Sequence, residues 1–286
     1  MREAVLTTRS GRNLAISVIL ALLLALGVVG QVSPASAATA TTIKVMSIVP
    51  SSGSKVVAGE VATVAGKAST NLAGKTLKLQ VFKAGKWVDL GISVQGKSSG
   101  NFFIKFTPNT TGSIQYRVLF AGSTSLKASS GSKSVTVWKW YSLAGQQIVA
   151  ADSNSCCSSA TPKFGTSGYR LIGKYYSSAL IIGSANPAGR TGWAEYNLSY
   201  KCSAFRTTVG LEDSSASGST VQFSTKLDGS NVAGGSVSAN LGQAKKIEIS
   251  TAGSFRVRLE YSIVSGSAKP MWAYPSILCT GSPNSK

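Results

Sequence analysis

The stretch Phe205-Arg206-Thr207-Thr208-Val209-Gly210-Leu211-Glu212-Asp213-Ser214 decides the fold, together with Val221-Gln222-Phe223-Ser224-Thr225-Lys226-Leu227-Asp228-Gly229 a short loop later. Phe205, Thr207, Val209 and Leu211 alternate with Arg206 and Thr208. Val221, Phe223, Thr225 and Leu227 do the same with Gln222, Ser224 and Lys226. Successive side chains leave a strand on opposite sides, so a period of two marks two half-buried strands. Ser214-Ser215-Ala216-Ser217-Gly218-Ser219 supplies the loop between them, and Asp228-Gly229 a turn after the second.

The same period extends in both directions. Ile247 and Ile249 alternate with Lys246 and Glu248; Phe255, Val257, Leu259, Tyr261 and Ile263 alternate with Arg256, Arg258, Glu260 and Ser262. The outward phases carry Arg206, Lys226, Arg256 and Arg258, a candidate basic surface. Towards the N-terminus, Thr76 to Val81 alternates and Ala84-Gly85-Lys86 turns into Trp87-Val88-Asp89-Leu90. Phe102, Ile104 and Phe106, then Tyr116, Val118 and Phe120, complete two more strands. Turn signals at this spacing, with 30 glycines and no helical period in 286 residues, predict an all-β chain of two β-sandwich domains. Val135 to Leu143 joins them without Pro or Gly, so the junction is neither a flexible nor a stiff spacer; Trp138, Trp140 and Tyr141 are expected to pack there.

The motif Phe-x-x-x-Val-Gly-Leu-Glu-Asp-Ser over 205–214, with Phe223 and Asp228-Gly229 after it, resembles the NPCBM family of carbohydrate-binding modules, first noticed beside glycosidases. The resemblance runs from Tyr141 to Cys279. Met271-Trp272-Ala273-Tyr274-Pro275-Ser276-Ile277-Leu278 is similar to the family's closing W-x-D-P-x-L strand, with Tyr274 where an acidic residue is usual. Arg190 to Tyr196 stands in place of the family's early G-L-G-x-H-A segment. This resemblance implies a jelly-roll sandwich over 139–286 that binds polysaccharide. Val81–Gly91, Gly100–Phe106 and Tyr116–Val137 resemble bacterial immunoglobulin-like repeats, implying an Ig-like sandwich over 38–138. That first module holds no cysteine, so packing alone must hold it. Trp87, after its hairpin turn, is expected to cover the end of that core.

Residues 1–37 read as a signal peptide: Arg2, Arg9 and Arg12 precede the apolar run Leu14 to Val29, and Ala35-Ser36-Ala37 is a small-x-small cleavage pattern. With cleavage the mature chain is expected to be a secreted bacterial protein, free of the membrane and free or non-covalently associated with the cell wall; without it, Leu14 to Val29 would be a short membrane anchor. An even number of cysteines in an exported chain predicts two disulfides among Cys156, Cys157, Cys202 and Cys279. Trans neighbours splay their Cβ vectors, so Cys156 and Cys157 should each take one of Cys202 and Cys279, in either order.

Lys and Arg number 29 against 10 acids, and there is no His. Without imidazole there is no Ser-His nucleophile pair and no His metal ligand. Glycoside hydrolysis needs two acids flanking one bond, and adjacent strand residues such as Glu212 and Asp213 point to opposite faces. The chain therefore reads as no enzyme, without metal or cofactor. Sugars dock on aromatic faces ringed by a few polar groups. Tyr175, Tyr176, Trp193, Tyr196, Trp272 and Tyr274 are candidate ligand contacts near predicted loops or strand ends, and Trp193, Trp272, Tyr175 and Tyr176 are expected to place the site at one end of the second sandwich. Asp213 is a candidate too, although a carboxylate anchoring a loop through backbone amides is its commoner use. The expected partner is a cell-wall or extracellular polysaccharide. Binding of anionic polymers through the basic excess, or a structural adhesion role in the envelope, are the competing readings; no specific nucleic acid is expected.

Overall fold

In this computed structural model, residues 37–153, 163–165, 169–181 and 185–283 are described. The predicted signal segment up to residue 36 lies outside them, as do Cys156 and Cys157.

Eight strands make the first sandwich. They are β1 (Ile43–Pro50), β2 (Val56–Val57), β3 (Ala62–Ala68), β4 (Thr76–Lys83), β5 (Lys86–Gln95), β6 (Asn101–Phe106), β7 (Gly112–Phe120) and β8 (Ser129–Ser142). One sheet has the order β1-β3-β6; facing it, β5-β4-β7-β8 belongs to a larger sheet. The inward phases interlock between them: Val64, Leu77, Leu79, Ile104 and Val118 are wholly buried. Burying each such aliphatic side chain is worth about 1.5–3 kcal/mol, which is how a module without cysteine holds together. Trp87 departs from expectation. It lies on the outer side of its sheet, 5.1 Å from Phe82 and with the Arg117 guanidinium 4.5 Å above its ring. The cause is its pairing with the outward-facing Phe82 across the β4–β5 hairpin.

The second half follows with β9 (Ile148–Ser153), β10 (Lys163–Gly165), β11 (Tyr169–Leu171), β12 (Lys174–Tyr176), β13 (Ala179–Ile181), β14 (Asn186–Pro187) and β15 (Thr191–Asn197). Then come β16 (Cys202–Leu211), β17 (Thr220–Leu227), β18 (Ser230–Asn240), β19 (Ala244–Ser250), β20 (Arg256–Ser265), β21 (Ser267–Ala268) and β22 (Pro270–Cys279). The two alternating runs around the Gly210–Ser214 motif are β16 and β17, but they do not pair. β16 lies between β19 and β22, whereas β17 lies in the five-stranded sheet β18-β17-β20-β15-β9. Each therefore presents its apolar phase to the other sheet. Phe205, Val209 and Leu211 on one side meet Val221, Phe223, Leu259 and Ile263 on the other in one buried core.

The junction is a strand rather than a linker. Residues 112–120 of β7 pair with 129–137 of β8, and the same β8 continues so that 139–142 pair with 276–279 of β22. A single ten-stranded sheet thus runs through both halves. Trp138 and Trp140 are half-buried along it, with Lys55 Nζ 5.2 Å from the Trp138 ring.

The disulfide pairing differs from expectation. Cys202 and Cys279 stand opposite each other in the β16–β22 register and are bonded to one another. Neither is left for Cys156 or Cys157, because neighbouring antiparallel strands already hold the two sulfurs together.

Candidate functional site

The Gly210–Ser214 motif shapes one end of the second sandwich. Gly210 is required by close approach: a Cβ there would meet the Leu171 side chain and stand 2.6 Å from the Gln243 carbonyl oxygen. Glu212 turns back on its own loop. Its Oε2 accepts from the Ser214 amide at 3.1 Å and from the Ser214 hydroxyl, and lies 3.6 Å from Lys269 Nζ. Asp213 points the other way, as adjacent residues at a strand end do. Its Oδ1 accepts from the Ile172 amide and its Oδ2 from the Gly173 amide, each at 2.7 Å. Those amides form the turn between β11 and β12. Asp213 is thus an anchor that fastens this hairpin to the sandwich, the commoner use of such a carboxylate.

Two of the aromatics expected to place the site at the sandwich end are core residues. Trp272 is fully buried between the sheets, edge-on to Phe223 at 5.0 Å and 6.2 Å from Tyr261. Tyr176 is packed into a small cluster with Leu171, Ala179, Ile181 and Met271. Neither offers a ring face to a ligand. For Trp272 the reason is its β22 phase, which points inward at the bulge where Tyr274 is pushed out. Arg206 pairs with Ser276 and Thr208 with Ala273, so Tyr274 and Pro275 oppose the single residue Thr207. Tyr274 takes φ 48° and is 45% exposed. Tyr175 is also exposed, on β12 opposite Arg170.

Trp193 reaches the surface elsewhere, on the outer side of the five-stranded sheet rather than at a sandwich end. Its strand β15 pairs with β20, and β20 with β17, which places Trp193 beside Glu260 and Glu260 beside Ser224. One row away, Thr191, Ser262 and Gln222 line up across the same strands. Together they line a shallow groove of about 310 Å³. Beneath it Gly192 packs directly on the core, where a Cβ would come 2.6 Å from Cε1 of Tyr261. The Arg258 guanidinium lies 4.0 Å above the Trp193 ring. Arg258 is fixed in turn by Glu195 (3.3 Å) and Glu260 (3.6 Å), while Arg256 reaches Glu195 at 2.9 Å and Lys226 reaches Glu260 at 2.8 Å. Tyr175 does not line this groove.

These ion pairs also settle the basic surface. Lys226, Arg256 and Arg258 share one sheet face but are paired with two carboxylates, and Arg206 projects from the opposite sheet. The four do not form one patch.

The polar partners of Trp193 were visible only as an outward phase. Gln222, Ser224, Glu260 and Ser262 alternate with core residues in the chain, but the order β15-β20-β17 that brings them to Trp193 is a property of the sheet. Among the described residues, no three His, Cys, Asp or Glu side chains gather to hold a metal ion.

The fold and these two surfaces define an all-β protein whose second sandwich carries a polar, aromatic groove. Residues 172–274, from the β11–β12 turn to the exposed Tyr274, match the NPCBM/NEW2 domain family. No curated protein matches the chain. Among solved structures it is similar to the CBM51-2 and INT domains of Clostridium perfringens ZmpB in complex with GlcNAc, at 16% identity and a TM-score of 0.40, over 62% of this chain and 39% of that one. CBM51 from Clostridium perfringens GH95 in complex with methyl-galactose aligns at 14% identity and a TM-score of 0.32, over 48% of this chain and 99% of that one. The tandem CBM22 modules of Paenibacillus barcinonensis Xyn10C align at 11% identity and a TM-score of 0.29, over 84% and 91%. This chain spans 39% and 41% of the two ZmpB structures.

Proposed function

We propose that this is an exported, non-catalytic protein that attaches to a cell-wall or extracellular polysaccharide through its second module, residues 139–286. The observation that carries the reading is the groove at Trp193. An indole there is flanked by hydroxyls of Thr191, Ser224 and Ser262, the Gln222 amide and the Glu260 carboxylate. Sugar rings combine apolar C–H faces with hydroxyl edges, so an aromatic surface with a few placed donors and acceptors is their complement. The NPCBM/NEW2 match over residues 172–274 supports the same class of ligand. Export is supported by the basic start, the apolar Leu14–Val29 run and Ala35-Ser36-Ala37, and by the Cys202–Cys279 bond. The first module, residues 38–138, serves as an Ig-like spacer.

A second reading, a binder of polyanions, is favoured by the net charge of +19. Retention on insoluble polysaccharide at low and high salt separates the two. Sugar stacking predicts retention indifferent to salt, whereas charge-driven binding falls steeply with it. Trp193→Ala is expected to lower affinity by about 2 kcal/mol, near thirtyfold, with the melting temperature nearly unchanged. A variant that binds as wild type removes Trp193 from the site.

A further inference from the structure

The opposite outer face of the second sandwich carries a trough that Trp193 does not reach. Across β19, β16, β22 and β8, register aligns Glu248, Arg206, Ser276 and Ser142 in one row. The next row holds Ser250, Ala204, Leu278 and Trp140. One depression of about 530 Å³ is lined by Arg206, Thr208, Lys246, Glu248, Tyr274 and Ser276. An adjoining one of about 490 Å³ is lined by Trp140, Ser250 and the same Glu248, and on the first sandwich by Ser52–Lys55 and Glu60. Glu248 lines both, so the two depressions adjoin and are treated together as one trough. Three strand spacings give it a length of ~14 Å before it crosses to the first sandwich.

Its side chains are those that hold a hydroxyl-rich chain. The Arg206 guanidinium lies 3.8 Å from the centre of the Trp140 ring, which fixes it at the middle of the trough. Tyr274 stands exposed at the far end, its ring 5.2 Å from Tyr176. Lys246 and Glu248 form no ion pair among the described residues and face solvent. Lys55, Arg206 and Lys246 stand among the Glu60 and Glu248 carboxylates, so a polyanion laid here would meet both signs of charge rather than a basic patch. An apolar peptide would leave five charged groups, Lys55, Glu60, Arg206, Lys246 and Glu248, desolvated. A neutral saccharide chain answers both the aromatics and the mixed donors and acceptors.

We propose that this trough is a second saccharide site, shared between the two sandwiches, and that the protein bridges polysaccharide chains. The inference rests on the sugar-binding reading of the Trp193 face. The two sites lie on opposite outer sides of one sandwich, with two sheets ~10 Å apart between them, so each engages a different chain. On an insoluble polymer the sites add avidity, and loss of one weakens retention; bridging needs both.

The test uses the full mature chain, Trp193→Ala, Arg206→Ala with Tyr274→Ala, and their combination, each checked for an unchanged melting temperature. Light scattering of a soluble form of the retained polysaccharide reads bridging. Wild type is expected to raise scattering to a maximum and lose it at protein excess. Either single-site variant should keep retention, weakened about thirtyfold, and raise no scattering; the combined variant should lose retention. If the Arg206/Tyr274 variant scatters and binds as wild type, there is no second site. An effect of that variant seen only at low salt assigns the trough to polyanions and overturns the proposal. Wild type that binds no polysaccharide overturns the Trp193 reading as well. Should the Arg206 change lower the melting temperature, Lys246→Ala with Glu248→Gln, both on the exposed strand phase, puts the same question to the trough.

Discussion

The Arg258 guanidinium sits 4.0 Å above the Trp193 ring and is held there by Glu195, whose side chain is only 6% exposed. Glu195 binds Arg256 as well, so one nearly buried carboxylate orients two cations. A neutral amide cannot balance both. Glu195→Gln should lower stability by roughly 2 kcal/mol in urea unfolding, below the ~3–5 of a fully buried pair because both arginines reach water. If Glu195 acts on ligand retention through the Arg258–Trp193 stack, its effect on binding should vanish in a Trp193→Ala background. Additive losses in that cycle would assign it a purely structural part.

Asp213 concerns the hairpin rather than the ligand. Ile172 takes φ 54°, a left-handed conformation that costs a β-branched residue about 1–2 kcal/mol, and the two 2.7 Å bonds that the Ile172 and Gly173 amides donate to Asp213 offset it. Asp213→Ala is expected to speed amide exchange at Ile172 and Gly173 far more than in the core strands. Ile172→Gly should recover about 1 kcal/mol of the lost stability. No gain from the glycine would mean that the turn is not strained.

Much of the fold was legible in the chain because its period is local. Phe205 to Leu211 and Val221 to Leu227 are strands with the expected faces inward, since side-chain alternation needs no knowledge of neighbours. The all-β class followed from that. The candidate site was far less legible. Trp272 and Trp193 both sit near strand borders in the sequence, yet one fills the core and the other the surface, a difference set by a bulge at Tyr274 and by sheet order. The pairing of Cys202 with Cys279 likewise depends on β16 lying beside β22, a long-range contact that no local pattern encodes.

That bond closes a 77-residue separation between strands already paired. Chain entropy alone would credit it with about 4 kcal/mol, less whatever the strand pairing retains in the unfolded reference. Replacing both cysteines by Ala should cost ~2–4 kcal/mol in denaturant, with the strand content kept. A non-reduced digest is expected to yield the Cys202 peptide joined to that of Cys279; a peptide joining either one to Cys156 or Cys157 would contradict the structure.

Alkali gives a last handle on the cores. Tyr116 is packed 4.7 Å from Phe106 in the first sandwich, and burial pushes its phenol from 10.0 up to about 12. Tyr261 in the second core is pushed, mainly by burial, to about 12, and Tyr196 is raised by burial too. The folded state therefore keeps these protons after the unfolded chain has lost them near pH 10. Above that pH the unfolded state binds fewer protons, so stability falls as pH rises. The contribution of Tyr116 and Tyr261 should be whole below about pH 10 and gone once pH passes about 12. Urea midpoints measured across that window should drop in wild type and drop less steeply in Tyr116→Phe. An unchanged slope in the variant would show that Tyr116 titrates in the folded protein as it does in water.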